Sequence, residues 1–316
     1  MSTPALRGPV RVTVRLHRTA LWIVGALALA GIAAVIATQL WTASATDTFA
    51  GTGCSVAHTT RGCGITVRDF LDVELRSYRL LRYAGMVMML LPALVGVFVA
   101  GPLIARELEN GTFRLSWTQG VPPAHWLAAR LVVPAAATVA GVCVLSAVFA
   151  WARSRAGSTD YPLDVYERDV YGAMGTVPVG YTLCMLALGA LAGLLLRRTF
   201  PAMIATVVAY GPLTLILNRV REHLWPTVRS TEDSWSGHDT SWAVDSGTLT
   251  AAGKPLDPTV CGGSGEPAAC KGAVSYVDHH PLSHFWPLQL VETGILLALA
   301  ALAVALAFRV LRGLHA

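Results

Sequence analysis

The residues with the most chemistry to offer lie in a short polar interruption between two long apolar runs. It reads Arg106-Glu107-Leu108-Glu109-Asn110-Gly111-Thr112-Phe113-Arg114 and continues to Trp117-Thr118-Gln119-Gly120. Asn110-Gly111 is a strong helix terminator, because glycine supplies the left-handed residue that follows a helix end. Thr112 can cap a new helix through its hydroxyl. Gln119-Gly120 ends that helix, and Pro122-Pro123 opens the next, where proline at the first position is tolerated. The spacing predicts a short helix over 113–118. Phe113 and Trp117 fall at i,i+4 and share a face. Arg106, Glu107, Glu109 and Arg114 surround them with charge, and nothing in the segment itself buries the rings. An aromatic peg with a charged rim suits docking of a soluble partner. It equally suits anchoring in a lipid interface, and the pattern alone leaves the two readings level.

Other candidate chemistry is weaker. Asp278, His279, His280 and His284 cluster in a long polar loop, and His280 with His284 at i,i+4 would suit zinc on a helix. Pro281 argues against a helix there, so solvated loop histidines are the default reading. Glu292 is a single carboxylate near one end of the last apolar run. An intramembrane acid is a functional candidate, although at this depth it can also reach water. Glu74 sits on the apolar face of an amphipathic stretch over 67–82, where it can meet a partner group or cargo, or snorkel. On the polar face of that stretch Asp72 and Arg76 can pair at i,i+4. Gly189 and Gly193 make a GxxxG step, which permits close helix approach but is a weak signal in a chain with 29 glycines. No paired carboxylates beside a span, His-Glu-x-x-His or nucleophilic serine motif is present, which disfavours a membrane-embedded enzyme. The one Gly-Lys, Gly253-Lys254, lacks the remainder of a phosphate-binding loop.

The elements that carry these residues are membrane spans. Of 316 residues, 54% are hydrophobic and 14% charged, and the mean hydropathy is +0.53. A soluble domain carries roughly 25% charged residues, so this chain cannot cover a water-facing surface of its size. Runs at about 21–40, 83–105, 131–152, 176–196, 199–218 and 286–308 each reach the roughly 20 residues that cross a hydrocarbon core. The expectation is an all-α integral membrane protein of six transmembrane helices. A coupling helix is expected between spans 2 and 3, with loops at 41–82, 153–169 and 219–284. The last loop is too short and loose to predict a domain with a core of its own. A basic lead-in and Ala43-Ser44-Ala45 resemble a cleavage site, but the first apolar run exceeds a signal-peptide core, which favours a retained anchor.

Charge and cysteine set the expected orientation. Segments 1–20, 106–130, 197–198 and 309–316 hold 11 arginines, against 13 arginines and lysines spread over more than twice that length in the three large loops. This density places both termini in the cytoplasm. Arg7, Arg11, Arg15 and Arg18 share one helical face and predict an interfacial helix over 1–20, although they also serve as a plain positive-inside anchor. Cys54 and Cys63 share one outer loop, and Cys261 and Cys270 another. Two local disulfides suit an oxidising exterior, and four free thiols are the alternative.

From Leu90-Leu91-Pro92 to Leu131 the chain resembles the ABC-2-type permease family of bacterial exporters, above all its actinobacterial six-span members. The resemblance rests on Gly101, Ala105-Arg106-Glu107, Glu109, Gly111-Thr112, Trp117-Thr118-Gln119 and Trp126-Leu127, with the lead-in His17-Arg18-Thr19-Ala20-Leu21. Close motif matching covers some 40 residues. The chain departs from the pattern at Pro122-Pro123-Ala124-His125, which is usually basic, and at Arg130, which is commonly lysine. The resemblance implies a permease subunit in the bacterial cell membrane, paired with a second permease subunit, identical or related. It implies that 106–119 couples to a separate cytoplasmic ATPase subunit, which binds ATP and magnesium while this chain holds no cofactor. No nucleic-acid partner is expected. A sensory or accessory subunit that docks a partner without moving cargo would share the same elbow.

Overall fold

The computed structural model describes residues 18–113, 122–156, 160–231, 241–256, 270 and 272–313. The basic segment 1–17, the elbow residues Arg114, Trp117, Thr118 and Gln119, and Cys261 lie outside them. Among the described residues the protein is mostly helical, with six helices long and apolar enough to cross a membrane.

Helix α1 (Arg18–Ala50) supplies span 1 and α2 (Gly64–Val95) begins span 2. Span 2 continues without a break through a π-helical turn (Gly96–Ala100) into α3 (Gly101–Glu109). Then come α4 (Pro123–Arg155), the short α5 (Arg168–Ala173), α6 (Val177–Leu196), α7 (Thr199–Val220) and α8 (Phe285–Gly313). Consecutive spans run antiparallel, so the bundle has two ends. At one end Ile104, Trp126, Leu127, Leu194 and Leu311 share a core. At the other, Tyr171, Val177, Leu217, Phe285 and Leu288 do. The first is termed the elbow end, since it carries the 110–122 connection.

Helices α1 and α2 both extend well past their apolar runs. The 33 residues of α1 reach about 50 Å at 1.5 Å per residue, well beyond a hydrocarbon core of about 30 Å. The 46 residues from Gly64 to Glu109 are longer still. The excess, 41–50 and 64–82, forms an antiparallel helical hairpin; the amphipathic stretch over 67–82 is helical as its spacing suggested, while 41–50 extends span 1 where a loop was expected. Its tip is closed by the Cys54–Cys63 disulfide. Phe49 stacks on Phe70 at 4.2 Å, and Gln39 donates to Ser77 inside the contact. Arg76 does not pair with Asp72; its guanidinium lies 6.0 Å from the Trp41 ring centre, which the neighbouring helix brings within reach. Cys270 is also disulfide-bonded.

Helix α6 sits at the centre, and its position depends on residues without side chains. A Cβ added to Gly189 would lie 2.5 Å from the Gly96 carbonyl oxygen, and one on Gly193 would lie 3.0 Å from that of Gly101. The GxxxG step is therefore where α6 meets span 2 backbone to backbone, at the π-helical turn, four residues beyond the helix-interior Pro92.

The polar segment after α7 is not the loose loop that its composition suggested. It folds as a four-stranded antiparallel sheet of β1 (Val228–Thr231), β2 (Trp242–Leu249), β3 (Pro255–Leu256) and β4 (Val274–His280), in the order β1-β4-β2-β3. Arg229 faces Asp278 across strands β1 and β4 and donates to it bidentately at 2.7 and 2.6 Å. These hydrogen bonds hold the Asp278 carboxyl below its ordinary range. The sheet docks onto the bundle through Trp242, which packs on Tyr166 as well as on its strand partner His280, and through the Tyr166 hydroxyl, which donates to the Pro281 carbonyl at 2.6 Å.

Candidate functional site

Two polar constellations interrupt the apolar bundle, one at each end. At the elbow end, α3 stops at Glu109, Asn110 caps it, and Gly111 takes φ +70°. The space around Gly111 is open, so glycine is required there for backbone conformation alone. The Thr112 hydroxyl donates back to the Glu107 carbonyl at 3.4 Å, a bond to the helix that ends; the capping expected of it for the helix that begins falls on residues outside the described ones. Arg106 and Thr112 are exposed.

The two elbow glutamates are engaged within the chain. Glu107 accepts from the indole nitrogen of Trp126 at 2.9 Å and forms an ion pair with Arg130, both on α4. Glu109 accepts from the backbone nitrogen of Thr199 at 3.0 Å and from its hydroxyl at 2.8 Å. Thr199 is the first residue of α7, so Glu109 caps a neighbouring helix by supplying a carboxylate to its unsatisfied N–H groups. Phe113 also departs from expectation. It is half-buried against the core formed by Ile104, Leu127 and Leu311 rather than standing free, because the ends of three spans converge beneath it.

At the opposite end, α8 presents Gln289, Glu292 and Thr293 to the interior at i, i+3 and i+4, all buried. Glu292 does not reach water. It is 0% exposed and receives two bonds from the Arg221 guanidinium, at 2.8 and 3.0 Å, and a third from the Tyr181 hydroxyl at 3.2 Å. Arg221 is itself buried and lies 4.0 Å from the Tyr171 ring centre. Burial, and then the Glu292 charge, push the Tyr171 phenol well above its ordinary range, so it stays protonated. The Gln289 side-chain oxygen accepts from the backbone nitrogens of Thr176 and Val177 at 3.0 and 2.9 Å, and its amide nitrogen donates to the Tyr171 carbonyl. This cluster fastens α5, α6, α7 and α8 together. Beside it a cavity of about 390 Å³ opens between α2, α5 and α7, lined by Met86, Met89, Arg168, Tyr210 and Thr214 among others. Arg82 on its rim is ion-paired with Glu167 and Asp169.

Glu74 lies half-buried on the projecting part of α2, remote in sequence from both constellations. His280 Nε2 faces the Glu222 carbonyl at 3.0 Å and its Nδ1 lies 3.2 Å from Nδ1 of His284, so the pair is held by hydrogen bonds at the base of the sheet. Among the described residues no group of three or more His, Cys, Asp or Glu converges as metal ligands do.

The break at Asn110-Gly111 was readable in the sequence and Trp126 was named there only as part of the family pattern, but Thr199, Arg221 and Gln289 were missed. The i, i+3, i+4 polar stripe on α8 was the available signal. Arg221 had none, since it follows the fifth apolar run and reads as a loop residue.

Among the described residues, six antiparallel apolar helices, with the GxxxG helix α6 central among them, define a multi-pass membrane protein. The family model described as ABC-2 membrane transporter related matches residues 22–221, nearly two thirds of the chain, and the protein belongs to that family. It is a membrane transport component. Comparison with curated proteins and with solved structures returned no match. The family match ends at Arg221, so the sheet and α8, which carries Glu292, lie beyond it.

Proposed function

We propose that this chain is the permease subunit of an ATP-driven exporter in the bacterial cell membrane, with the elbow end and both termini in the cytoplasm. Two permease subunits line the pathway. A separate soluble subunit binds ATP and magnesium and docks on the elbow, around Arg106, Glu107, Glu109, Gly111, Thr112, Phe113, Arg114, Trp117, Thr118 and Gln119. The observation that carries this reading is the break at Asn110-Gly111, which ends span 2 at the end where arginine is densest along the sequence, within the segment that matches the family. Closure of the ATPase subunits pushes the elbow, and the spans move between two arrangements that differ in their contacts. The sheet and the disulfide-clipped hairpin then face the exterior, where disulfides persist.

Co-purification from native membranes tests the reading. A nucleotide-binding subunit is expected to accompany the wild-type chain. In a Phe113→Ala, Trp117→Ala variant, which truncates both rings of the elbow, nucleotide-stimulated transport is expected to fall by about tenfold or more while membrane insertion is unchanged. Wild-type protein that purifies with no ATPase, or with a kinase instead, would contradict it in favour of a sensory role.

A further inference from the structure

Span 2 and span 3 are joined to the elbow by the chain itself, but span 5 is not. The structure supplies the missing connection. Glu107 and Glu109 lie two residues apart on α3, so their side chains leave the helix about 200° apart. One reaches Trp126 and Arg130 at the start of span 3, and the other reaches Thr199 at the start of span 5. Both contacts sit within one turn of the Asn110-Gly111 break.

We infer that Glu107 and Glu109 are positioning residues that divide the movement of the elbow between two spans, Glu109 through Thr199 to span 5 and Glu107 through Trp126 to span 3. The inference rests on the proposed function and gives these carboxylates a role other than contact with the ATPase. Three features support it. Each carboxylate has its donors inside this chain. The Thr199 bonds engage both the first backbone N–H of α7 and its side chain, so displacement of α3 pulls on the whole helix end rather than on a rotamer. The α6–α7 connection beside it is only Arg197-Arg198, with Arg197 at φ +52°. A two-residue turn in that conformation has little slack to absorb a shift.

The test measures distances in the complex with its ATPase subunit by pulsed dipolar spectroscopy, nucleotide-free and with ADP–vanadate. Helix α6 serves as the reference through Leu195→Cys. Span 5 is reported by Ile216→Cys with Cys143→Ser, and span 3 by the native Cys143; residues 195, 216 and 143 are all exposed. Thr199→Val removes the hydroxyl donor to Glu109 and is expected to halve, or more than halve, the nucleotide-dependent change at span 5 while leaving that at span 3. Trp126→Phe removes the indole donor to Glu107 and is expected to do the reverse. Thr199→Ser is expected to restore span 5. Any other pattern overturns the inference, including equal loss at both spans, which is what a purely stabilising role would give. If the wild-type complex shows no nucleotide-dependent change at either span, the proposed function itself fails.

Discussion

Glu292→Ala is expected to lower the unfolding free energy of the detergent-solubilised protein by about 3–5 kcal/mol, the usual cost of removing one partner from a buried ion pair. Arg221 would be left buried with its principal acceptor gone, and the Tyr181 hydroxyl would lose the carboxylate it donates to. The double replacement Arg221→Met, Glu292→Leu is expected to recover most of the loss, because apolar residues of similar size avoid the desolvation that the pair must overcome. Thermal or denaturant unfolding of the two variants checks this. A single variant as stable as the wild type would show that Glu292 reaches water after all. Loss in the double variant equal to that in the single one would assign the cluster to the hydrogen bonds and ring contact instead of the paired charge.

The second large effect concerns the backbone contact of α6. Gly189→Val is expected to destabilise the bundle by at least the roughly 3 kcal/mol at the top of the usual range for overpacking. The atom in the way is the Gly96 carbonyl oxygen, 2.5 Å from an added Cβ, and a backbone atom cannot swing aside as a side chain can. Gly211→Val on α7, where the space around the glycine is open, is the matched control and is expected to change stability little. Folded yield and melting temperature separate the two. Equal behaviour would mean that α6 does not approach span 2 this closely.

Much of this architecture was legible in the sequence, and the limits have physical causes. The spans could be counted because bilayer-facing helices cannot hide charge, and the elbow could be located because Asn110-Gly111 and Pro122-Pro123 mark helix ends locally. The partners of Glu107 and Glu109 could not be read, since they are chosen by how spans 3 and 5 approach. Phe113 was taken for a free peg because its cover comes from Leu127 and Leu311, far along the chain. The GxxxG step was weak as a motif and decisive as a contact, for only the distance to Gly96 distinguishes it from other glycine pairs. The Arg221–Glu292 pair spans 71 residues and joins a residue that looked like loop to one that looked near water. The sheet was missed because its strands are separated by Gly- and Ser-rich sequence and strand pairing is non-local.

Coupling to a cytoplasmic ATPase requires the elbow to lie on the cytoplasmic side of the membrane. Thiol accessibility in intact cells answers that most directly, with Thr112→Cys at the elbow and Ser275→Cys on the sheet, both exposed positions. A membrane-impermeant maleimide is expected to label residue 275 readily and residue 112 only after permeabilisation. Labelling of residue 112 in intact cells would contradict the account, because an elbow outside the cell cannot be driven by a cytoplasmic ATPase.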